Sequence, residues 1–204
     1  MLWGLHIATC LINMDMFGEA IKHLEKAEKI APQNSVYLAN IYREMAFSYS
    51  AIKMADKALE YLDKAQKTDY DLTDIMVLKG HVLLENGKAE EARRIFLRAL
   101  IHSKRSPKVA LRIIVSLYDN KYQELAYRMF KVLFDKVGES FNEGYSYMAL
   151  CCWDLRLLDD FLKYLKLAIQ INPSEAKKVL RHLFPNSMEP KEYYSYIISR
   201  LNSD

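Results

Sequence analysis

Small and large apolar residues alternate along the chain at spacings of three and four. A small residue is followed four positions on by a large one, and three further by another small one: Ala20-Leu24-Ala27, Ala58-Leu62-Ala65 and Ala92-Phe96-Ala99. Ala126-Phe130-Leu133 and Phe161-Leu165-Ala168 are looser versions of the same pattern. Such spacing puts all three residues on one helical face. The small residues let a neighbouring helix approach, and the large one fills the space between helices. The leading residues are separated by 38, 34, 34 and 35 positions, so the chain repeats a unit of about 34 residues.

Each unit carries a second helical pattern. Tyr42-x-x-Met45-Ala46-x-x-Tyr49 is its fullest form, and Tyr145-x-x-Met148-Ala149-x-x-Cys152 follows it in part. Met76-x-x-Lys79-Gly80-x-x-Leu83 keeps the small residue, and Gly4-x-x-Ile7-Ala8-x-x-Leu11 keeps the middle. Asp15 to Ile21, Lys53 to Leu59 and Gly87 to Arg93 read as a turn and the start of a second helix. With Pro32 and Pro173 as closing residues, the pattern resembles the tetratricopeptide repeat family over roughly 1–175.

That resemblance implies an all-α fold, a right-handed superhelical solenoid of antiparallel helix–turn–helix repeats. Five hairpins are expected at about 1–34, 39–72, 73–106, 107–140 and 142–175. The wider first interval implies four extra residues around Ser35 to Leu38, which a longer first helix in the second repeat would absorb. Ile114 and Phe161 are large where the family is small, so the fourth and fifth repeats are expected to pack more openly. Residues 176–204 carry two further stripes, Ala176, Val179, Leu180, Leu183 and Phe184, then Tyr193, Tyr194, Ile197, Ile198 and Leu201, separated by Pro185 and Pro190. These read as C-terminal capping helices, since a solenoid end must cover its apolar face. The opposite end, with Leu2, Trp3, Leu5 and Ile12, carries no such cap. Either it meets further repeats upstream in a longer repeat or signalling protein, or it is a homodimer surface.

Composition narrows the function. Half of the residues are apolar and the net charge is only +3, which does not mark a nucleic-acid binder. Three cysteines, Cys10 and the adjacent pair Cys151 and Cys152, make no disulfide framework. A reducing, cytoplasmic setting is expected, with the periplasmic part of a larger protein as the alternative. The apolar run from Leu2 to Ile12 lacks the basic start of a signal peptide and reads as a helix. No apolar run approaches the ~18 residues that span a membrane.

Catalytic motifs are missing. There is no phosphate-binding glycine loop and no H-E-x-x-H. His6 and Cys10 share a helical face, but a metal would need further ligands. Cys151-Cys152 lacks the two intervening residues of a redox pair, and by register Cys152 replaces a packing aromatic. Asp159-Asp160 falls where a second helix begins, a place that favours negative charge. The chain is therefore read as no enzyme, with no cofactor and no metal.

The family lines its concave face with the first helix of each hairpin, and the resemblance carries that role to two to four positions per repeat. They are Leu5, Thr9, Ile12 and Asn13; Arg43, Phe47 and Ser50; Val77, His81 and Leu84; Leu111 and Tyr118; Leu150 and Trp153. The mixture suits an amphipathic helix or an extended peptide. Leu5 and Thr9 stand where the family's carboxylate clamp has Lys and Asn, so a clamp for chaperone tails is disfavoured. The expected function is a protein- or peptide-binding scaffold. The alternative is an anionic partner, an acidic protein or RNA, on a basic stretch without carboxylates: Arg93, Arg94, Arg98, Lys104, Arg105, Lys108 and Arg112.

Overall fold

A computed structural model describes residues 2–33, 35–68, 70, 72–137 and 144–201. Among these the chain is all α, a solenoid-type succession of antiparallel helical hairpins with no strand. The hairpins are α1 (Leu2–Asn13) with α2 (Phe17–Ile30), α3 (Val36–Ala51) with α4 (Ala55–Gln66), α5 (Leu72–Glu85) with α6 (Ala89–His102), α7 (Pro107–Asp119) with α8 (Gln123–Val137), and α9 (Tyr145–Asp154) with α10 (Leu158–Ile171). Then come α11 (Pro173–Leu180), a 3-10 turn at Arg181–Leu183, and α12 (Pro190–Leu201). Two compact units result, residues 1–104 and 105–204.

One device makes every hairpin. Asp15, Lys53, Gly87, Lys121 and Arg156 have φ between 57° and 72°, and they recur with the same intervals as the sequence repeat. At each, the left-handed residue ends the first helix, and the next N–H reaches back five residues: Met16 to Leu11, Met54 to Tyr49, Lys88 to Leu83, Tyr122 to Leu117 and Leu157 to Cys152, all at 2.8–2.9 Å. This is a Schellman closure, which satisfies carbonyls that the helix end would otherwise orphan. The carbonyls of Met16, Met54, Lys88, Tyr122 and Leu157 then accept from Ala20, Ala58, Ala92, Ala126 and Phe161. One residue thus closes the first helix and opens the second. It also delivers the leading residue of the small-large-small motif into the core.

In unit 1 those motifs are buried: Ala20, Leu24, Ala58, Leu62, Ala65, Ala92, Phe96 and Ala99 are 0% exposed. Those of the first two hairpins join Ala8, Ile41, Met45 and Ala46 from the first helices. α1 is a helix whose Ala8 and Ile12 face this core. Two of the four extra residues of the first interval lengthen α2 relative to α4, and two lengthen α3 relative to α5; the first turn of α3 is capped by the Ser35 hydroxyl accepting from Leu38 N–H at 3.1 Å. The side chain of Leu2 lies outside the description.

In unit 2, Ile114 and Phe161 are both fully buried. Gly144 explains how Ile114 is accommodated nearby: a Cβ there would stand only 3.2 Å from Ile114 Cδ1. The expected boundary at 140–142 lies outside the described residues. Near the expected boundary at 175, Pro173 opens α11, with Asn172 accepting from Glu175 N–H at 3.1 Å. Proline needs no N–H partner at that position, so it begins a helix more readily than it ends the previous hairpin. Of the α12 stripe, Tyr193 and Ile197 are buried, whereas Tyr194 and Leu201 are exposed.

Candidate functional site

Within unit 1 the first helices form their own row: α1 touches α3, and α3 touches α5. α2 and α4 each touch both their own partner and the following first helix. Solvent-facing side chains of α1, α3 and α5 therefore lie side by side. Leu5 is half-buried, and Thr9 and Asn13 are exposed. Thr9 spends its hydroxyl on the Leu5 carbonyl at 3.0 Å. Phe47 is 43% exposed, its ring edge-on to Phe17 at 6.2 Å.

Arg43 pairs with Glu44 at 2.8 Å and lines a pocket of about 240 Å³ with Val36, Ala39, Asn40, Tyr70 and Ile75. Sequence reasoning found Arg43 but missed Asn40 and Tyr70. Tyr70 comes from the α4–α5 link, which no helical register reaches. At the far end of the row, Glu85 accepts from Ser50 at 2.5 Å and Lys53 at 2.9 Å, with His81 at 4.0 Å. Burial raises the Glu85 carboxyl, but the hydrogen bonds from Ser50 and Lys53 outweigh it and hold the group below the usual range.

Five residues of the expected lining, Ile12, Ser50, Val77, Leu84 and Leu150, are buried. Ile12, Ser50 and Leu84 hold the same position in successive hairpins. In unit 1 that position turns toward neighbouring helices, as the Ser50 bond to α5 illustrates.

Unit 2 repeats the layout: α7 touches α9, and α9 touches α11. Leu111 and Tyr118 are half-buried. Tyr118 meets Tyr147 edge-on at 6.0 Å, and its hydroxyl is pushed up to about 12, by burial first and then by the Asp154 carboxylate. Tyr147 was missed because the family pattern assigns its position no role. Trp153, 39% exposed, lies 5.0 Å from the Phe161 ring. Both line a cavity of about 470 Å³ with Cys152, Arg156 and Leu158.

The paired cysteines and Asp160 are held by burial and by hydrogen bonds. Burial pushes the Cys151 and Cys152 thiols up to about 12, which keeps them from forming the reactive thiolate. Asp160 accepts from Tyr127 at 2.5 Å and Lys131 at 2.6 Å, tying α10 to α8. Among the described residues no group of three or more His, Cys, Asp or Glu could hold a metal. Nor is any described helix long and apolar enough to cross a membrane.

These are stacked hairpins closed by a shared turn, with a row of first helices on one side. Residues 5–34 match the sequence model of the tetratricopeptide repeat. The fold is that of tetratricopeptide repeat proteins. Solved structures agree. YrrB, described as a tetratricopeptide protein with an unusual peptide-binding site, is 16% identical, with 84% of this chain and 86% of that one covered and a TM-score of 0.51. MamA is 18% identical over 84% of this chain and 97% of its own, with a TM-score of 0.57. The nearly identical repeats of a Podospora anserina protein assigned as a kinesin light chain are 14% identical over 84% and 94%, at 0.61. No curated protein matches the chain in sequence.

The tetratricopeptide layout also sorts the basic stretch. Arg94 and Arg98 are exposed on α6, and Lys104 is exposed just after it. Arg93 is half-buried and bonds Glu90 at 3.1 Å, so the carboxylates just before the stretch neutralise part of it. Arg105, Lys108 and Arg112 belong to unit 2 and are exposed there.

Proposed function

We propose that the chain is a non-catalytic scaffold that binds an extended peptide or an amphipathic helix on its first-helix row. The observation that carries the reading is the direct contact of α1 with α3 and of α3 with α5. That contact supports a shared side of unit 1 for Leu5, Thr9, Arg43, Phe47 and His81. Exposed aromatic and arginine side chains beside a small pocket are what peptide interfaces use as anchors. The Arg43 pocket has the size for one ligand side chain, and Trp153 heads a second such cavity in unit 2. The peptide-binding site ascribed to YrrB supports the same reading by analogy of fold.

The test is selection of ligands from a random peptide library on the intact chain. The selected peptides are then measured against Phe47→Ala combined with Trp153→Ala. Losses of roughly tenfold or more per anchor are expected. Undiminished binding by the double variant means that the ligand sits elsewhere.

A second reading rests on the exposure of Arg94 and Arg98, one helical turn apart on α6. An anionic protein or RNA there would bind with strong salt dependence. Binding that ignores salt, or survives Arg94→Glu with Arg98→Glu, rejects it.

A further inference from the structure

The C-terminal helices enclose a second kind of site. A cleft of about 780 Å³ opens between α11 and the loop leading to α12. One wall is the outer face of α11 and the following turn, with Ser174, Lys178, Arg181 and His182. The opposite wall is the loop, with Pro185, Asn186 and Met188, and Tyr193 forms the base.

The cleft is held in shape. The Phe184 and Tyr193 rings stack at 3.7 Å, which pins both ends of the loop. Met188 N–H donates to Pro185 C=O at 2.9 Å, and Phe184 N–H donates to Arg181 C=O at 3.2 Å. Lys177 on α11 bridges Glu189 on the loop at 2.6 Å. Walls fixed in this way lose little entropy on binding.

The charge inside is unbalanced. Three carboxylates lie nearby, and each is engaged elsewhere. Glu175 turns to Ser146 Oγ at 2.9 Å, Glu189 takes Lys177, and Glu192 accepts from the Glu189 N–H at 3.0 Å. Lys178, Arg181 and His182 therefore have no carboxylate partner among the described residues. Their spacing of three and four along the chain sends them to one face, with Ser174 a turn before.

We propose that this cleft binds a phosphomonoester. A carboxylate offers two oxygens in a plane, whereas a phosphate offers three around a dianion, which suits donors spread along a helix face. The apolar side of the cleft, Pro185 and Met188, is suited to the organic part of the ester. A small phosphate ester and a phosphorylated side chain of another protein share this chemistry. The site is independent of the first-helix row.

The probes are inorganic phosphate, glycerol phosphate, and a phosphoserine decapeptide with its unphosphorylated twin. Each is titrated into the isotope-labelled chain, with amide shifts read at matched ionic strength. Shifts should concentrate at 174–193, and the esters should bind roughly tenfold more tightly than inorganic phosphate. Lys178→Ala with Arg181→Ala should abolish saturable binding while leaving the remaining spectrum folded. Equal affinity for glycerol phosphate and the phosphopeptide assigns the site to a small ester. Tighter phosphopeptide binding, absent from the unphosphorylated twin, assigns it to a protein. Shifts that sodium chloride reproduces, or binding that persists in the double variant, overturn the proposal.

Discussion

Gly80 and Phe96 occupy complementary halves of one space: a Cβ placed on Gly80 would stand 2.2 Å from the Phe96 ring carbon Cε1. Gly80 holds the small position of α5, and Phe96 the large position of α6. Where the large residue is Leu24 or Leu62, the small position is Ala8 or Ala46. The fourth hairpin has Ile114 and Phe130 at these two positions, both fully buried. Small against large is thus the pairing of the first three hairpins and, with Ala149 and Leu165, of the fifth.

Gly80→Ala should therefore overpack the third hairpin and cost about 1–3 kcal/mol. Phe96 is fully buried, so its ring has no room to swing away. Denaturant unfolding of the single variant and of Gly80→Ala with Phe96→Leu checks this. The second change should restore part of the loss, because leucine is the partner alanine has in the neighbouring hairpins. Additive losses would contradict the complementarity.

The shared turn makes an opposite prediction. Lys121 holds φ at 67°, a conformation that costs an L side chain about 1–2 kcal/mol. Glycine relieves this strain but adds freedom to the unfolded chain. Lys121→Gly should stabilise the protein by about 0.5–1 kcal/mol net. Gly87→Ala, at φ 72° in the third hairpin, should destabilise by a similar amount. Thermal melts of the two variants should move in opposite directions.

Much of this was legible in the sequence. The small-large-small motifs gave all five hairpins and their register, because burial at spacings of three and four leaves a direct mark on residue type. The left-handed turns left a weaker mark: a glycine in the third hairpin, but Asp15, Lys53, Lys121 and Arg156 in the others. The Schellman geometry is enforced by the helices on either side, so composition does not reveal it. The surface was half legible. Phe47, Arg43, Tyr118 and Trp153 reach solvent, whereas Ser50 is committed to Glu85 and Leu84 to the core. A single-helix register cannot say which neighbour covers a position. Tyr70 and the cleft between α11 and the α12 loop depend on links between helices, and periodicity does not reach those.

Acid should loosen unit 2 through Asp160. Burial raises this carboxyl, but hydrogen bonds from Lys131 and Tyr127 prevail and hold it below its ordinary 3.8. A group depressed on folding stabilises the fold above its unfolded value, and that gain is lost as pH falls through the lower, folded value. Asp160→Asn should cost about 1 kcal/mol near neutral pH, a modest figure because both partners are partly exposed. The gap between wild type and variant should close below about pH 4. Unfolding curves from pH 7 to pH 3 measure it, and a gap that stays constant would contradict the assignment.

The central claim is that ligands lie on the first-helix row. The most direct measurement is hydrogen–deuterium exchange of the intact chain with and without a library-selected peptide. Slowed exchange in α3 and α5, around Arg43, Phe47 and His81, is the predicted result. Protection confined to the outer helices α4 and α6, with α3 and α5 unchanged, would contradict it.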